Sequence, residues 1–152
     1  MTSGTSDKTF VDTNVLIYAH DVDAGRKHAI AKELLRTLWA DRSGILSTQV
    51  LQEFYVNATR KIRKPLTKPE ARSVVDTYTP WCVDGTMPGD IIAAFQIEDQ
   101  ARIGFWDALI IAVATRSSAR RIVSEDLNAG QSIAGLTSHN PFKAGTQAKS
   151  RR

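Results

Sequence analysis

The stretch GFWDALIIAVA, residues 104–114, limits the folds that are open to this chain. From residue 106 to residue 115 it predicts a helix that is apolar nearly all round, and such a helix has to be buried by the rest of the domain. Asp107 is the one charge in that run. Burying a lone carboxylate is costly. The stretch therefore raises two questions: which elements cover this helix, and what Asp107 does in it.

Length and composition describe one ordinary domain. The chain has 152 residues, of which 42% are hydrophobic and 24% charged, and this is enough for a single core. No apolar run approaches the roughly 18 to 20 residues of a membrane span, and the N-terminus lacks a signal-peptide pattern. Cys82 is the only cysteine, so no internal disulfide is available. We expect a cytoplasmic protein, with one domain over residues 1–142 and a basic flexible tail over residues 143–152.

Basic charge is concentrated in two places. The net charge is +4, and the tail alone accounts for it through Lys143, Lys149, Arg151 and Arg152. The second place is RKIRK, residues 60–64. A net charge of this size is weak support for a polyanionic partner, and a solvated helix end explains RKIRK more simply than phosphate binding does.

Apolar patterns predict strands that alternate with helices. Short strands are predicted at residues 8–12, 44–47, 81–83, 121–124 and, more weakly, 135–138. Helical stripes are predicted at residues 15–19, 24–39, from 48 until Pro65 ends the helix, and at 67–78, 88–103 and 106–115. Helix caps are predicted at Thr13 or Asn14, at Thr48, and at the capping box TKPE, residues 67–70.

The alternation predicts an α/β fold. We expect a three-layer α/β/α domain around a central, mostly parallel sheet of four to five strands. In such sheets ligands gather at the carboxyl ends of the strands. Asp12, Glu53 and Asp126 each follow a predicted strand, and Asp107 opens the buried helix, so these four acids are expected to converge at one edge.

Each of these acids also has a purely structural explanation. Asp12 suits a cap, Asp126 a turn and Glu53 a solvated helix face, while Asp107 would gain about 0.3–1 kcal/mol from the helix dipole. Taken together they would repel one another, so a converging set requires a cation. Carboxylate oxygens suit Mg²⁺ or Mn²⁺.

The histidines do not indicate a zinc site. His20, His28 and His139 are scattered along the chain, and no cysteine lies near them at a ligand spacing. His20, at the end of YAH, is expected at the surface rather than in a catalytic role. Cys82, between Trp81 and Val83, is expected to be a small core residue.

Four sequence blocks occur in the order seen in PIN-domain proteins. They are VDTNVLIY (residues 11–18), VLQEFY (50–55), FWDALIIAVA (105–114) and IVSEDLNAGQ (122–131). The chain resembles that family over about residues 9–142, and its length and motif spacing are most similar to the VapC-type toxins of VapBC toxin–antitoxin pairs. The resemblance implies a Mg²⁺- or Mn²⁺-dependent endoribonuclease with the PIN-like α/β/α fold.

The resemblance also implies roles for particular residues. Asp12, Asp107 and Asp126 would ligate metal, and Glu53 would ligate it or orient a water. The expected supporting residues are Asn14, Thr13 and Ser124, and the residues offered as contacts to RNA phosphates are Arg60, Lys61 and Arg116. Some relatives place a further acid where this chain has Asn128. One ion with a second recruited by substrate is therefore at least as well supported as two resident ions.

Partners follow from the resemblance as well. It implies a homodimer that is silenced by a small antitoxin, whose tail covers the site with an Arg or Lys near the acids. The apolar faces of residues 24–39 and 50–55 offer a place for such a partner, although plain core explains them better.

Two other functions stay open. A haloacid-dehalogenase-like phosphatase is suggested by DTNV, residues 12–15, but Asn14 stands where that motif needs its second Asp. The other alternative is a catalytically silent RNA- or partner-binding module on the same fold. An intact set of four acids argues against this second alternative.

Overall fold

A five-stranded sheet organises the protein in the computed structural model, which describes residues 7–127 and 130–143. The strands are β1 (Lys8–Val11), β2 (Gly44–Ile45), β3 (Ala119–Val123), β4 (Ser132–Ile133) and β5 (Leu136–His139). Their spatial order is β2-β1-β3-β5-β4. All neighbours are parallel except β4 and β5, which form an antiparallel hairpin. The mostly parallel sheet confirms the predicted fold class.

Helices flank this sheet. In the described residues they are α1 (Thr13–His20), α2 (Arg26–Asp41), α3 (Thr48–Arg60), α4 (Lys68–Tyr78), α5 (Pro88–Ala101) and α6 (Phe105–Arg116). Short 3₁₀ turns occupy Val22–Ala24 and Thr79–Trp81. None of these helices has the length and apolar run that a membrane crossing requires.

The central strands carry the core. Phe10 of β1 pairs with Ile45 on one side and Ile122 on the other, and both Phe10 and Ile122 are buried. Strands covered on both faces are apolar along their length rather than alternating, as Phe10 and Val11 show. The same pairing aligns the carboxyl ends of β1 and β3, where the chain turns polar.

The α6 helix is as buried as its composition predicts. Every residue from Ala108 to Ala114 is buried, and the helix packs on α5 and β3. The faces of α2 and α3 that offered a partner site are confirmed as core at Ala31, Leu35, Leu38, Val50, Leu51 and Phe54. A helix apolar all round can be buried only when the sheet and a second helix cover it, which answers the first question raised by residues 104–114.

One predicted strand does not form, and another is displaced by one residue. Residues 81–83 are not a strand, because the 3₁₀ turn Thr79–Trp81 includes Trp81 and the segment forms only one isolated bridge, from Cys82 to Leu46. The last strand lies one residue later than predicted, at Leu136–His139, and gains the partner β4 through a turn in which Gly135 has φ +85°. A two-residue strand carries too little alternation to be recognised from sequence.

Two helix caps also differ from prediction. Asp12 rather than Thr13 or Asn14 caps α1, and Ser47 rather than Thr48 caps α3. In both cases the cap is the residue that still has extended backbone as the strand ends. The capping box that opens α4 is confirmed. The α3 helix ends at Arg60, before Pro65 is reached.

His20 is half-buried, not at the surface. Its ring packs edge-on against Phe54 and Tyr78, and burial lowers the pKa of its imidazole to about 4. Tyr78 in turn contacts Trp39 and Trp81. Cys82, predicted as core, is only partly buried at the edge of this aromatic cluster.

Replacing Gly44 with alanine is expected to lower the free energy of unfolding by about 1–3 kcal/mol, as overpacking does. A Cβ at residue 44 would lie 2.5 Å from the Trp81 ring, and Trp81 is held between Trp39 and Tyr78, so the ring has little room to move. Urea denaturation measures the change. Gly89→Ala is the matched control, because nothing lies within 4 Å of its added Cβ. Equal stability of the two variants would contradict the packing argument.

Candidate active site

Two parallel strands bring the first polar groups of the site to the same edge of the sheet. Val11 is in register with Val123, so the residues that follow them, Asp12 and Ser124, lie side by side. The Ser124 hydroxyl donates a 2.7 Å hydrogen bond to Oδ2 of Asp12, and Oδ1 accepts one of 2.7 Å from the Thr13 N–H. Asp12 is only 5% exposed. Both oxygens of this buried acid are therefore stabilised by donors.

Ser124 also holds the loop that follows β3. Its Oγ accepts hydrogen bonds from the Asp126 N–H at 3.1 Å and from Asn14 Nδ2 at 3.4 Å. Asn14 Nδ2 donates to Oδ2 of Asp126 at 3.0 Å, and Asn14 Oδ1 accepts from the Glu125 N–H at 3.1 Å. The start of α1 and the loop after β3 are thus tied together, with Asp126 beside Asp12.

Glu53 reaches the same place from α3. This helix begins directly after β2, capped by Ser47, so its first turns lie at the carboxyl edge of the sheet. The Thr13 hydroxyl donates to Oε1 of Glu53 at 2.7 Å, and Gln49 Nε2 donates to Oε2 at 3.0 Å. Thr13 therefore links two of the predicted acids, through its backbone to Asp12 and through its side chain to Glu53.

Asp107 enters the site from the first turn of α6. Gln49 Nε2 also donates to the Trp106 carbonyl at 3.2 Å, which joins the start of α6 to α3. Asp107 is half-buried, and within the described residues no group donates a hydrogen bond to it. Burial raises the pKa of the Asp107 carboxyl, and the charges of Asp126 and Glu53 raise it further. Asp107 thus interacts electrostatically with acids from two other elements.

The cluster carries negative charge that no described basic residue balances. Burial raises the pKa of Asp12 to about 7; hydrogen bonds from Ser124 and Thr13 oppose the rise, and the charges of Asp107 and Asp126 add to it. In the part of the chain that the structure describes, none of the four acids forms an ion pair. A site like this must take up either protons or a cation.

The donor chemistry of the site fits a hard divalent cation. All four side chains offer carboxylate oxygens, the ligands that Mg²⁺ and Mn²⁺ prefer. As the side chains stand, no three His, Cys, Asp or Glu groups in the described ranges are arranged to hold a metal ion. Asp12, Glu53 and Asp126 are turned toward their hydrogen-bond donors instead. Sharing an ion would therefore require these carboxylates to rotate. Asn128, which bears on the number of ions, lies outside the described residues.

The structure does not bring the three predicted phosphate contacts together. Arg60 and Lys61 are exposed at the C-terminal end of α3. Arg60 lies two helical turns from Glu53 on the same face, about 10 Å along the axis. Arg116 lies at the opposite end of α6 from the acids and binds both carboxylate oxygens of the buried Asp90, at 2.7 and 2.8 Å. Arg60 and Lys61 therefore remain candidates, whereas Arg116 serves a structural ion pair.

Sequence patterns miss several residues around the acids. Gln49 could have been found, because an amide four residues before Glu53 lies on the same helix face. Glu125 receives a 2.6 Å hydrogen bond from the Tyr18 hydroxyl and an ion pair from Lys27. These three come from separate elements, so no spacing in the sequence connects them. Through Glu125 they hold the loop that carries Asp126.

A family model for the PIN domain matches residues 9–131. The match spans most of the chain and includes all four acids, and the chain therefore belongs to the PIN domain family. No curated protein matches the sequence.

Solved structures share this fold at low sequence identity. A toxin–antitoxin complex from Klebsiella pneumoniae is 18% identical with a TM-score of 0.64, covering 90% of this chain and 99% of that one. The DNA-bound VapBC of Salmonella typhimurium is 19% identical with a TM-score of 0.63, covering 90% and 99%. VapC20 of Mycobacterium tuberculosis, a toxin that cleaves the sarcin–ricin loop, is 18% identical with a TM-score of 0.59, covering 76% and 87%. At these identities the likeness concerns the fold.

Proposed function

We propose that this PIN-domain protein is a metal-dependent endoribonuclease, the toxin of a type II toxin–antitoxin pair. One observation carries the proposal: four acids from four separate elements meet at the carboxyl edge of the sheet with no cation of the described chain among them. Asp12 and Asp107 have raised pKa values there, in part because of neighbouring acids. Structural acids on a surface are rarely gathered in this way, because gathering them costs free energy.

In this proposal each acid has a role. Asp12, Asp107 and Asp126 hold one or two Mg²⁺ or Mn²⁺ ions, and Glu53 binds the ion or orients a water. When bound, such an ion lowers the pKa of its water and stabilises charge on the phosphate during in-line displacement. Ser124 keeps Asp12 and the loop of Asp126 next to each other, so that metal binding requires the carboxylates to rotate but not the backbone to move.

The remaining supporting residues act on the geometry of the acids. Thr13 holds Glu53 next to Asp12, and Asn14 holds Asp126. Arg60 and Lys61 would bind phosphates of the RNA that extends beyond the cleaved bond. Their side chains project from the end of the helix that carries Glu53, so a strand leaving the acids along α3 would meet them.

Toxin identity and partners rest on the relatives. Several similar structures are described as toxin–antitoxin complexes, one of them bound to promoter DNA. We propose a small antitoxin partner that places a cation among the acids, together with a homodimeric toxin in the cytoplasm. Antitoxin binding would relieve the same charge repulsion that a metal relieves.

A catalytically silent RNA- or partner-binding module is the second candidate. The observation that favours it is the arrangement of the side chains, since no three described His, Cys, Asp or Glu groups are arranged to hold an ion as they stand. The phosphatase alternative has no such support: the Asn14 side chain is engaged with Ser124 and Asp126, and the chain belongs to the PIN family.

Removing divalent metal is expected to abolish RNA cleavage. Purified protein, freed of any partner, is incubated with structured and single-stranded RNA in Mg²⁺, Mn²⁺ or EDTA, and the products are resolved on denaturing gels. We expect cleavage with either ion and none in EDTA, because the acids alone supply no Lewis acid. RNA binding that persists in EDTA, without cleavage in any lane, would favour the silent module.

A further inference from the structure

An aromatic surface lies next to the acids and has no part in the proposed metal chemistry. It consists of Phe95 on α5 and of Phe105 and Trp106 at the start of α6, and we call it the aromatic ledge. The Phe95 and Phe105 rings are 5.9 Å apart, and the Phe105 and Trp106 rings meet edge-on at 5.2 Å. Trp106 is 64% exposed. Trp39 and Trp81, in contrast, pack against each other in the aromatic cluster around Tyr78.

The ledge is anchored to the acidic site through the backbone. Trp106 directly precedes Asp107, so their Cα atoms are about 3.8 Å apart. Gln49 Nε2 donates to the Trp106 carbonyl and to Glu53 at the same time. The position of the Trp106 backbone is thus tied to two of the four acids, while its indole ring stays open to solvent.

Gln49 supplies a second observation that indicates a ligand. Its side chain is buried, with 9% exposure, and Oε1 has no hydrogen-bond partner among the described residues. Turning the amide over would place Oε1 against the two acceptors that Nε2 now serves, so the orphan acceptor cannot be satisfied that way. A buried acceptor without a donor is costly, and no described residue supplies that donor.

We propose that the aromatic ledge stacks an unpaired nucleobase of the RNA substrate, next to the phosphate that the acids address, with Trp106 as the platform. The inference rests on the proposed ribonuclease function. Exposed aromatic rings bind unpaired bases because every base presents a π-face, and unpaired bases in loops are what proteins commonly stack on such rings. The acids repel the phosphates of RNA, but they do not repel an uncharged base that stacks on a ring. The substrate class is therefore RNA with an unstacked base beside the cleaved bond.

A second copy of this chain is the competing occupant of the ledge. Ile91 and Ile92 of α5 are also exposed, at 38% and 58%, and a continuous apolar face is typical of an interface between subunits. The link through Gln49 to Glu53 favours a ligand of the acidic site, because a subunit interface needs no coupling to the acids. The two occupants make different predictions for Trp106 and Ile92.

Replacing Trp106 separates the two occupants. Affinity for a labelled single-stranded RNA is measured by fluorescence anisotropy in Ca²⁺, for the wild type and for Trp106→Ala, Trp106→Leu, Trp106→Phe and Ile92→Ala. Loss of one stacked base is expected to weaken binding by about 5- to 160-fold. We expect that loss in Trp106→Ala and Trp106→Leu, near wild-type affinity in Trp106→Phe and Ile92→Ala, and no difference on fully paired RNA. In cleavage assays KM should rise and kcat should stay.

Each contrary result contradicts the proposed role of the aromatic ledge in a different way. The stacking proposal is rejected if Trp106→Ala binds single-stranded RNA as tightly as the wild type does, or if the wild type does not bind it. Either result holds whatever the cleavage assay shows. Equal loss of binding in Trp106→Ala and Ile92→Ala, with a fall in molar mass by light scattering, identifies a subunit interface. Failure of the ribonuclease proposal looks different: no metal-dependent cleavage by the wild type, while the Trp106 variants still lose RNA binding.

Discussion

Asp107→Asn is expected to lower metal-dependent RNA cleavage about 1,000-fold, the scale seen when a single preorganised electrostatic group is removed from an active site. The substitution keeps the shape of the side chain and removes its charge. Because burial and two neighbouring acids raise the pKa of Asp107, its charged form is under strain in the folded protein, and the variant should be at least as stable as the wild type. Gel-based initial rates in Mg²⁺ measure the loss.

A metal-binding readout makes this prediction independent of catalysis. Ligand binding stabilises a fold by about 2.7 kcal/mol at one hundred times Kd, so Mg²⁺ should raise the Tm of the wild type and raise that of Asp107→Asn much less. Asp99→Asn is the matched control, since Asp99 is an exposed acid on α5. Unchanged cleavage and an unchanged Mg²⁺ response in Asp107→Asn would remove Asp107 from the site and the proposed mechanism with it.

Asp12→Asn is expected to make the protein more stable at pH 8 while removing its activity. The pKa of Asp12 is about 7 in the folded protein against 3.8 for the model compound. The folded state therefore holds a proton that the unfolded state releases between these values, and stability falls as pH rises through that window. At about 1.36 kcal/mol per unit, the loss at pH 8 is at most about 4 kcal/mol. The variant does not have this loss.

The pH profile checks the sign of the Asp12 effect. In urea denaturation without metal, the free energy of unfolding of the variant should exceed that of the wild type at pH 8 and equal it near pH 4. Saturating Mg²⁺ should reduce the difference at pH 8. Asp90→Asn is the control of opposite sign. Asp90 is equally buried, but Arg116 lowers its pKa, so its contribution is present above pH 3.8 and is lost as pH falls further. A destabilised Asp12→Asn at pH 8 would show that its hydrogen bonds outweigh its charge.

Patterns of apolar residues were sufficient to predict the fold class and most of the helices. The run from Ala108 to Ala114 has no polar face, so burial between sheet and helix was its only stable outcome. The capping box at the start of α4 follows from residues three apart. Prediction was wrong where tertiary contacts determine the local structure. Residues 81–83, for example, form one bridge to Leu46 instead of a strand.

In the candidate site, too, one part could be predicted from sequence and another part could not. The order of acidic motifs along the chain identified Asp12, Glu53, Asp107 and Asp126 as candidates, because local sequence places each just after a strand or in the first two turns of a helix. Which oxygen accepts from which donor, and how far the acids perturb one another, depend on residues more than a hundred positions apart, as in the Ser124 bond to Asp12. Tyr18 and Lys27 were recognised only through their tertiary contacts with Glu125.

Neighbours a few positions away in the sequence were enough to predict most of the helices and the central strands. Contacts between distant residues pair Arg116 with Asp90, pack His20 among aromatic rings and leave Trp106 exposed beside the acids. The physical reason is that charge, burial and hydrogen bonding act through space. The register of β1 against β3, for example, places Asp12 beside Ser124, and no local pattern encodes it.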